Sequence, residues 1–547
     1  MKREWSPKLV ALVVAAVCLI CYLRALSCKF LNFDDQDFVV NNTYLRALDW
    51  NLVKWSFTSV ASISGSWIPL SWLSFALDYR LWGLNPAGFH LTNILLHGVN
   101  AALVVLIADR IYRLRVTELP QEVHPKYYYP AMLLLAGLIF GLHPLRVEAV
   151  VWVTERRGVL NGVFALLSIY YYLDYAARMK TEGKSGAARR AYLLSLATLV
   201  ISLLAKPSSV VMPALMLVLD WYPLKRLEKP ALLGVIREKV PFFLVAGVMT
   251  VATVYLGAQD GGLQAGAAGL SFWQKIVLSG NALFEYVRLT LWPFGILPLK
   301  IIATPIPFTY TIKAIIAFLC CVVVALLWKR RWLTATFLGF LLPILPVLTF
   351  FQMNDVVYAA RYTYLPAVAL SIAAPPLIVR GYEACADRGP QLRYLFVAAV
   401  AGCLLFYAGM TQFLIGTWQD SGTLWSRVIA FQPHDRAYFL RALYYVDAGQ
   451  YRSAIDDYTS CLDIAEKERL PENYVVNIIA FRGEAYERAG RYQEAVADFS
   501  AAIRMNPHPL YYYHRGRALM ALGRSAEAAS DLARAGSAKG QMFWISP

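Results

Sequence analysis

Three acids, Asp34, Asp35 and Asp37, fall within four positions of the stretch FLNFDDQDFVVNN, directly after an apolar segment long enough to cross a bilayer. Carboxylates this close repel one another. A solvated loop or a helix cap accounts for one of them. Two adjacent ones at the mouth of a membrane fit either of two chemistries. Together they hold a divalent cation such as Mg or Mn, although no ligand spacing demands one. Alternatively one of them, its pKa raised by its neighbour, accepts the proton of an attacking hydroxyl.

Further ionisable residues recur at three other turns. HPLRVEAVVWVTERRG carries His143, Arg146, Glu148, Glu155 and Arg156; LAKPSSVV carries Lys206; YAARYTYLP carries Arg361, Tyr362 and Tyr364. Ionisable groups at membrane depth are costly and mark a pathway or a site. The plainer alternatives are an interfacial charge network and, for Lys206, a side chain snorkelling to the headgroups. Cations close to paired carboxylates suit an anionic lipid phosphate facing an acid/base group. A phosphate is also the leaving group that sugar transfer needs.

The elements that must position these residues are membrane helices. The chain has 547 residues, 58% apolar and only 16% charged, against about 25% charged in soluble domains. Long uncharged runs recur over the first 415 residues, which marks a polytopic membrane protein. Eleven spans are expected, at roughly 9–28, 91–108, 131–147, 159–177, 191–205, 209–224, 241–257, 312–328, 333–350, 365–379 and 394–413. Loops on one side hold 23 Lys and Arg in 70 residues and those on the other 13 in 153. This bias puts the N-terminus in the cytoplasm and the acids outside. It also accounts for the formal charge of +16 and excludes nucleic acid as the partner. The basic start followed by an apolar run resembles a signal peptide, and an uncleaved first helix is expected. The eight cysteines form no visible disulfide framework. Cys18-x-x-Cys21 lies inside an apolar run and reads as packing.

Residues 272–300 are apolar but carry Asn281, Glu285 and Arg288 at helical spacing, which predicts an amphipathic helix in the outer interface. The Gly/Ala stretch before it is expected to be flexible. After Trp418 the composition becomes soluble and helical. Three segments, about 435–465, 475–507 and 508–540, align at tetratricopeptide spacing. In the middle one Gly483, Tyr486, Ala495, Phe499, Ala502 and Pro507 fill the signature positions. The fold class is therefore all-α: a membrane domain over 1–415, with a first outer loop at 29–90, and a repeat solenoid over 416–547. The concave face of such a solenoid usually holds a peptide or protein; a spacer or dimerisation arm is the plainer reading.

Taken in order, FDDQDFVVNN, WIPLSWLSFALDYRLWGLNPAGFHLTNILLHGVNAALV, HPLRVEAVVWVTERRGVLNGVF, KPSSVVMPALMLVLDWYPLKR and ARYTYLP, followed by repeats, resemble one family. It is the bacterial relatives of the transmembrane and tetratricopeptide-repeat-containing O-mannosyltransferases, of the GT-C glycosyltransferase class. The resemblance covers nearly the whole chain. It implies an inverting glycosyltransferase at the outer face of a bacterial inner membrane, with the repeats periplasmic. The donor would be a polyprenyl-phosphate monosaccharide and the acceptor a hydroxyl of a secreted or periplasmic protein.

By this resemblance Asp34 and Asp35 match the acidic pair that supplies the base or orients the acceptor. His143, Arg146, Glu148, Glu155 and Arg156 match the second-loop motif. Arg361, Lys206, Arg146 and Tyr364 are expected on the donor phosphate, with Asp37 and Tyr362 as further candidates. Two departures stand out. Ala360 precedes Arg361 where the family usually has Glu, which deprives Arg361 of a carboxylate partner. Arg157-Gly158 replaces a basic-acidic pair, which weakens any role there. Two other classes of function remain open: a non-catalytic scaffold that recruits envelope proteins through its repeats, and a transporter of lipid-linked sugars.

Overall fold

In the computed structural model, described over residues 6–59, 67–116, 128–228, 232–259, 269–303, 305–349 and 356–536, the chain is all-α. Among the described residues the only β contact is one isolated bridge, Ile301 to Val356. The Gly/Ala stretch at 261–268, residues 350–355 of the late outer loop and the end of the third repeat lie outside the described residues. The chain divides into two compact units. One comprises Met1–Phe30 and Asp34–Gln419, the other Leu31–Phe33 and Asp420–Pro547.

The first unit is a multi-pass membrane bundle. Five described helices are long and apolar enough to span: Pro7–Ser27, Pro86–Leu114, Gly186–Ala205, Phe308–Leu326 and Pro390–Thr417. A sixth arises if Tyr128–Leu142 and Pro144–Val151, bent by 51°, count as one broken span. Eleven were expected, and the remainder also fall on helices. Pro207–Trp221 and Arg331–Val347 are simply shorter, and Arg156–Thr181 carries Arg157, Asn161 and Asp174 along its length.

Small residues bring the helices together. A Cβ on Gly137 would strike Val14 and Val105, and one on Gly141 would strike Cys18 Sγ. These contacts lock the first helix onto Tyr128–Leu142. Buried amides then fix the loops that carry the chemistry. Asn100 Nδ2 donates to the Val159 carbonyl at 2.8 Å. Asn161 Nδ2 lies 2.7 to 3.0 Å from Ser202, Ser209 and the carbonyl of Lys206, which pins the turn bearing that lysine.

The helix Phe272–Leu291 begins with a Ser271/Gln274 capping box. Its polar face is turned inward rather than to water. Glu285 is buried and pairs with Arg288 and with Lys313 of the neighbouring helix, each at 2.6 Å, while Phe272, Trp273 and Leu291 are exposed. Burying the carboxylate against two cations costs less than leaving it in an apolar surround.

The second unit stacks antiparallel helix pairs: Asp435–Asp447 with Tyr451–Glu468, Glu472–Arg488 with Tyr492–Met505, and Pro509–Ala521 with Ser525–Ala535. Gly449, Gly490 and Gly523, at φ 71°, 74° and 76°, end the first helix of each pair in the left-handed conformation that only glycine adopts freely. A feature the signature does not announce repeats three times. Arg441, Arg482 and Arg515 each form a two-pronged pair with Asp457, Asp498 and Asp531 of the following helix, at 2.6 to 2.9 Å. Each also donates to a hydroxyl of the preceding helix, on Ser426, Thr459 and Ser500 respectively. Leu31–Phe33 belongs to this unit. Asn32 donates to the Leu440 carbonyl at 2.7 Å and accepts from Trp425 Nε1 at 2.8 Å.

Candidate functional site

The turn between the helices ending at Leu142 and beginning at Arg156 is built of short pieces: Pro144–Arg146, Val147–Val151 and Val153–Glu155. Its backbone receives the acidic loop. Asp35 is fully buried and accepts hydrogen bonds from Thr154 N at 3.0 Å and Thr154 Oγ1 at 2.5 Å. Asp35 is therefore a fastening point. Asp34, with a quarter of its side chain exposed, faces Arg157 Nη2 at 3.9 Å. Burial raises the pKa of Asp37, which stands half-buried on the short helix Gln36–Val40 that follows.

Arg157 continues the line, with Nε 3.2 Å from Glu155 Oε1. Glu155 is buried and shared: Lys206 Nζ lies 2.8 Å from Oε2, and Arg361 Nε 3.6 Å from Oε1. Arg361 also pairs with Glu148, whose Oε2 accepts the Arg361 backbone N–H at 3.2 Å. The Tyr362 ring lies beneath both cations, 4.8 Å from Arg361 and 5.8 Å from Lys206. One connected cluster thus joins Asp34, Arg157, Glu155, Lys206, Arg361, Glu148 and Tyr362.

Burial alone would raise the Glu155 pKa, but Lys206, Arg157 and Arg361 outweigh it and hold it at about 2. Burial lowers that of Lys206. Because the folded Glu155 value lies below the ordinary one, its stabilisation is complete above about pH 4.5 and fades as pH falls towards about 2. Thermal midpoints of the protein and its Glu155→Gln variant are therefore expected to differ most at neutral pH and to converge in acid.

Both departures from the family pattern acquire a role. Glu148 supplies Arg361 with the carboxylate that Ala360 does not. Arg157 is the bridge to Asp34. Gly158 leaves room for Glu155, since a Cβ there would stand 2.8 Å from Glu155 Oε2. Thr154 and Arg157 are the members of this arrangement that the sequence reading missed. The doubled arginine after Glu155 was the available signal.

Besides Asp35 and Asp37, four expected site residues stand outside this cluster. Arg156 donates to Asp78 at 2.6 Å, Ser74 at 2.9 Å, the Phe89 carbonyl at 2.7 Å and Asn93. It clamps the helices Pro69–Trp82 and Pro86–Val116 to the start of Arg156–Thr181. Replacing Arg156 by Ala strands Asp78, and a loss of about 3–5 kcal/mol in stability is expected, read as a fall in thermal midpoint. His143 caps the next turn, accepting from Leu145 N at 3.2 Å, and its Nε2 meets the Thr290 carbonyl at 3.0 Å. Tyr364, expected on the phosphate, is buried, with its hydroxyl 2.8 Å from His97 Nδ1 and 3.0 Å from Asn100 Nδ2.

Arg146, also expected on the phosphate, is fully enclosed beside the faces of Phe140 and Tyr364, 5.5 and 5.7 Å from their centroids. Among the described residues, none accepts a hydrogen bond from its Nε, Nη1 or Nη2. Two ring faces offset up to about 2 kcal/mol each. Burying a charge costs several kcal/mol, and each unmet donor adds about 1–3.

Among the described residues no three His, Cys, Asp or Glu side chains converge, and Asp35 Oδ1 is occupied by both Thr154 donors.

Comparison with known proteins agrees with the motifs. The chain is similar to the protein O-mannosyl-transferases. Protein O-mannosyl-transferase TMTC4 of Homo sapiens is 27% identical over 475 residues, 77% of this chain and 62% of that protein. Protein O-mannosyl-transferase Tmtc1 of Drosophila melanogaster is 34% identical over 193 residues, 34% of this chain and 20% of that one. The chain thus spans about three fifths of the length of TMTC4 (62%). Tetratricopeptide repeat models match residues 435–468 and 482–541. The crystal structure of ArnT from Cupriavidus metallidurans bound to undecaprenyl phosphate aligns over 89% of this chain and 79% of that one, at 15% identity and a TM-score of 0.34. An overlay that loose carries no argument about mechanism.

Proposed function

We propose that this chain is an inverting, GT-C-type glycosyltransferase at the outer face of a bacterial inner membrane. It moves a monosaccharide from a polyprenyl-phosphate donor to a hydroxyl of a secreted or periplasmic protein. The observation that carries this reading is the single line of charges from Asp34 through Arg157 and Glu155 to Lys206 and Arg361. It sets a partly exposed carboxylate one guanidinium and one buried carboxylate away from a pair of cations.

In the reaction Asp34 takes the proton of the acceptor hydroxyl. The oxygen attacks the anomeric carbon, the bond from that carbon to the phosphate oxygen breaks, and polyprenyl phosphate leaves with the electron pair. Configuration inverts once. Arg361 and Lys206 meet the charge that grows on the leaving phosphate. Proton transfer neutralises Asp34 at the same moment, so Arg157 and the cations behind it lose one counter-charge as the phosphate gains one.

An apolar cavity of about 120 Å³ starts at Leu365, directly after the Arg361–Tyr364 turn, and continues past Met212, Ile107 and Trp332. Its lining suits the first isoprene units of the donor. The repeat unit is assigned to the acceptor protein.

The test uses the full chain in lipid nanodiscs with a polyprenyl-phosphate hexose and candidate secreted proteins, read by mass spectrometry. A hexose added to the protein together with free polyprenyl phosphate is expected. Lipid crossing a bilayer with its sugar–phosphate bond intact would assign a transporter instead. Neither product would leave the scaffold reading.

A further inference from the structure

Tyr22 and Arg146 come from distant parts of the first unit and end in the same interior. Both side chains are 0% exposed. The Tyr22 hydroxyl, like all three Arg146 nitrogens, has no hydrogen-bond partner among the described residues. The neighbouring groups are neutral. The Tyr22 ring meets His97 edge-on at 5.0 Å. His97 Nε2 lies 3.0 Å from the Gly141 carbonyl, which makes that nitrogen the donor and Nδ1 the acceptor of the Tyr364 hydroxyl. The remaining open acceptor there, Asn100 Oδ1, carries no charge. Glu148 and Glu155, the acids of the adjoining turn, are engaged by Arg361, Lys206 and Arg157.

A guanidinium stays charged at any ordinary pH, and a buried cation that lacks a counter-charge is not retained without one. Water would satisfy the N–H groups but would leave the charge uncompensated. We propose that Arg146 and Tyr22 bind a small inorganic anion of chloride size in the interior of the first unit. The anion neutralises Arg146 and accepts hydrogen bonds from the guanidinium and from the Tyr22 hydroxyl. It is structural, and separate from the donor phosphate at Arg361 and Lys206.

The test is carried out on the full chain in detergent at constant ionic strength, with chloride replaced stepwise by gluconate. The thermal midpoint is expected to rise with chloride along a saturating curve. In Arg146→Met the curve should be flat. Where Arg146→Met fails to fold, Tyr22→Phe serves, and its half-saturating chloride concentration should rise several-fold. Crystals grown in bromide should show an anomalous peak in contact with the Arg146 guanidinium. Equal midpoints in chloride and gluconate, an unshifted Tyr22→Phe curve, or bromide absent from Arg146 would each overturn the assignment. Density for a lipid phosphate on Arg146 would overturn it as well and would return this residue to the donor site.

Discussion

Asp34→Asn is expected to lower sugar transfer by about 10²–10⁴-fold, the range a positioned general base contributes, while donor binding and thermal midpoint stay near those of the parent protein. The reason lies in the different attachments of the two adjacent acids. Asp34 is partly exposed and faces Arg157 Nη2 at 3.9 Å. Asp35 is wholly buried and spends one oxygen on two donors of Thr154. Its removal strands buried N–H and O–H groups, at about 1–3 kcal/mol. Asp35→Asn should therefore lower the midpoint, and Thr154→Val should reproduce most of its effect; Asp34→Asn should do neither. Single-turnover transfer with donor already bound separates the cases. Full activity in Asp34→Asn, with activity abolished in Asp35→Asn or Asp37→Asn, would move the base to that residue.

The acidic cluster, the charged second turn and the ARYTYLP segment were legible because each is contiguous, and the repeats because their small and large residues recur at fixed offsets. The partners were not legible. Arg361 finds Glu148 across 213 residues, so the missing neighbour at Ala360 was a poor guide to its surroundings. Arg156 and Arg157 exchanged the roles expected of them for a geometric reason. Successive residues at a helix start point about 100° apart. One of the pair therefore turns inward to Asp78 and Asn93, and the other along the surface to Glu155 and Asp34. No local pattern says which does which. The burial of Arg146 and Tyr364 was not legible for a related reason. The sharp turn after Leu142 directs Arg146 into the bundle, against a ring that also points there, rather than toward the headgroups.

Arg361→Met should fail twice over, and the two failures can be separated. Transfer is expected to drop about 10²–10³-fold, as when one preorganised donor to a developing charge is removed. Stability should also fall, by about 3–5 kcal/mol, because Glu148 is left buried without its cation. Glu148→Gln in the same chain removes the stranded charge, so the double variant should regain most of the thermal midpoint. It should not regain transfer, since nothing then replaces the guanidinium at the phosphate. A double variant that recovers both would make the pair a structural tie, and the donor phosphate would have to rest on Lys206 alone. Glu148→Gln by itself is the informative third case. The carboxylate that Arg361 then keeps is Glu155, at 3.6 Å, and the guanidinium is freer to meet an incoming phosphate. Donor affinity should rise in this variant even as stability declines, and a titration of donor in nanodiscs reads that sign directly.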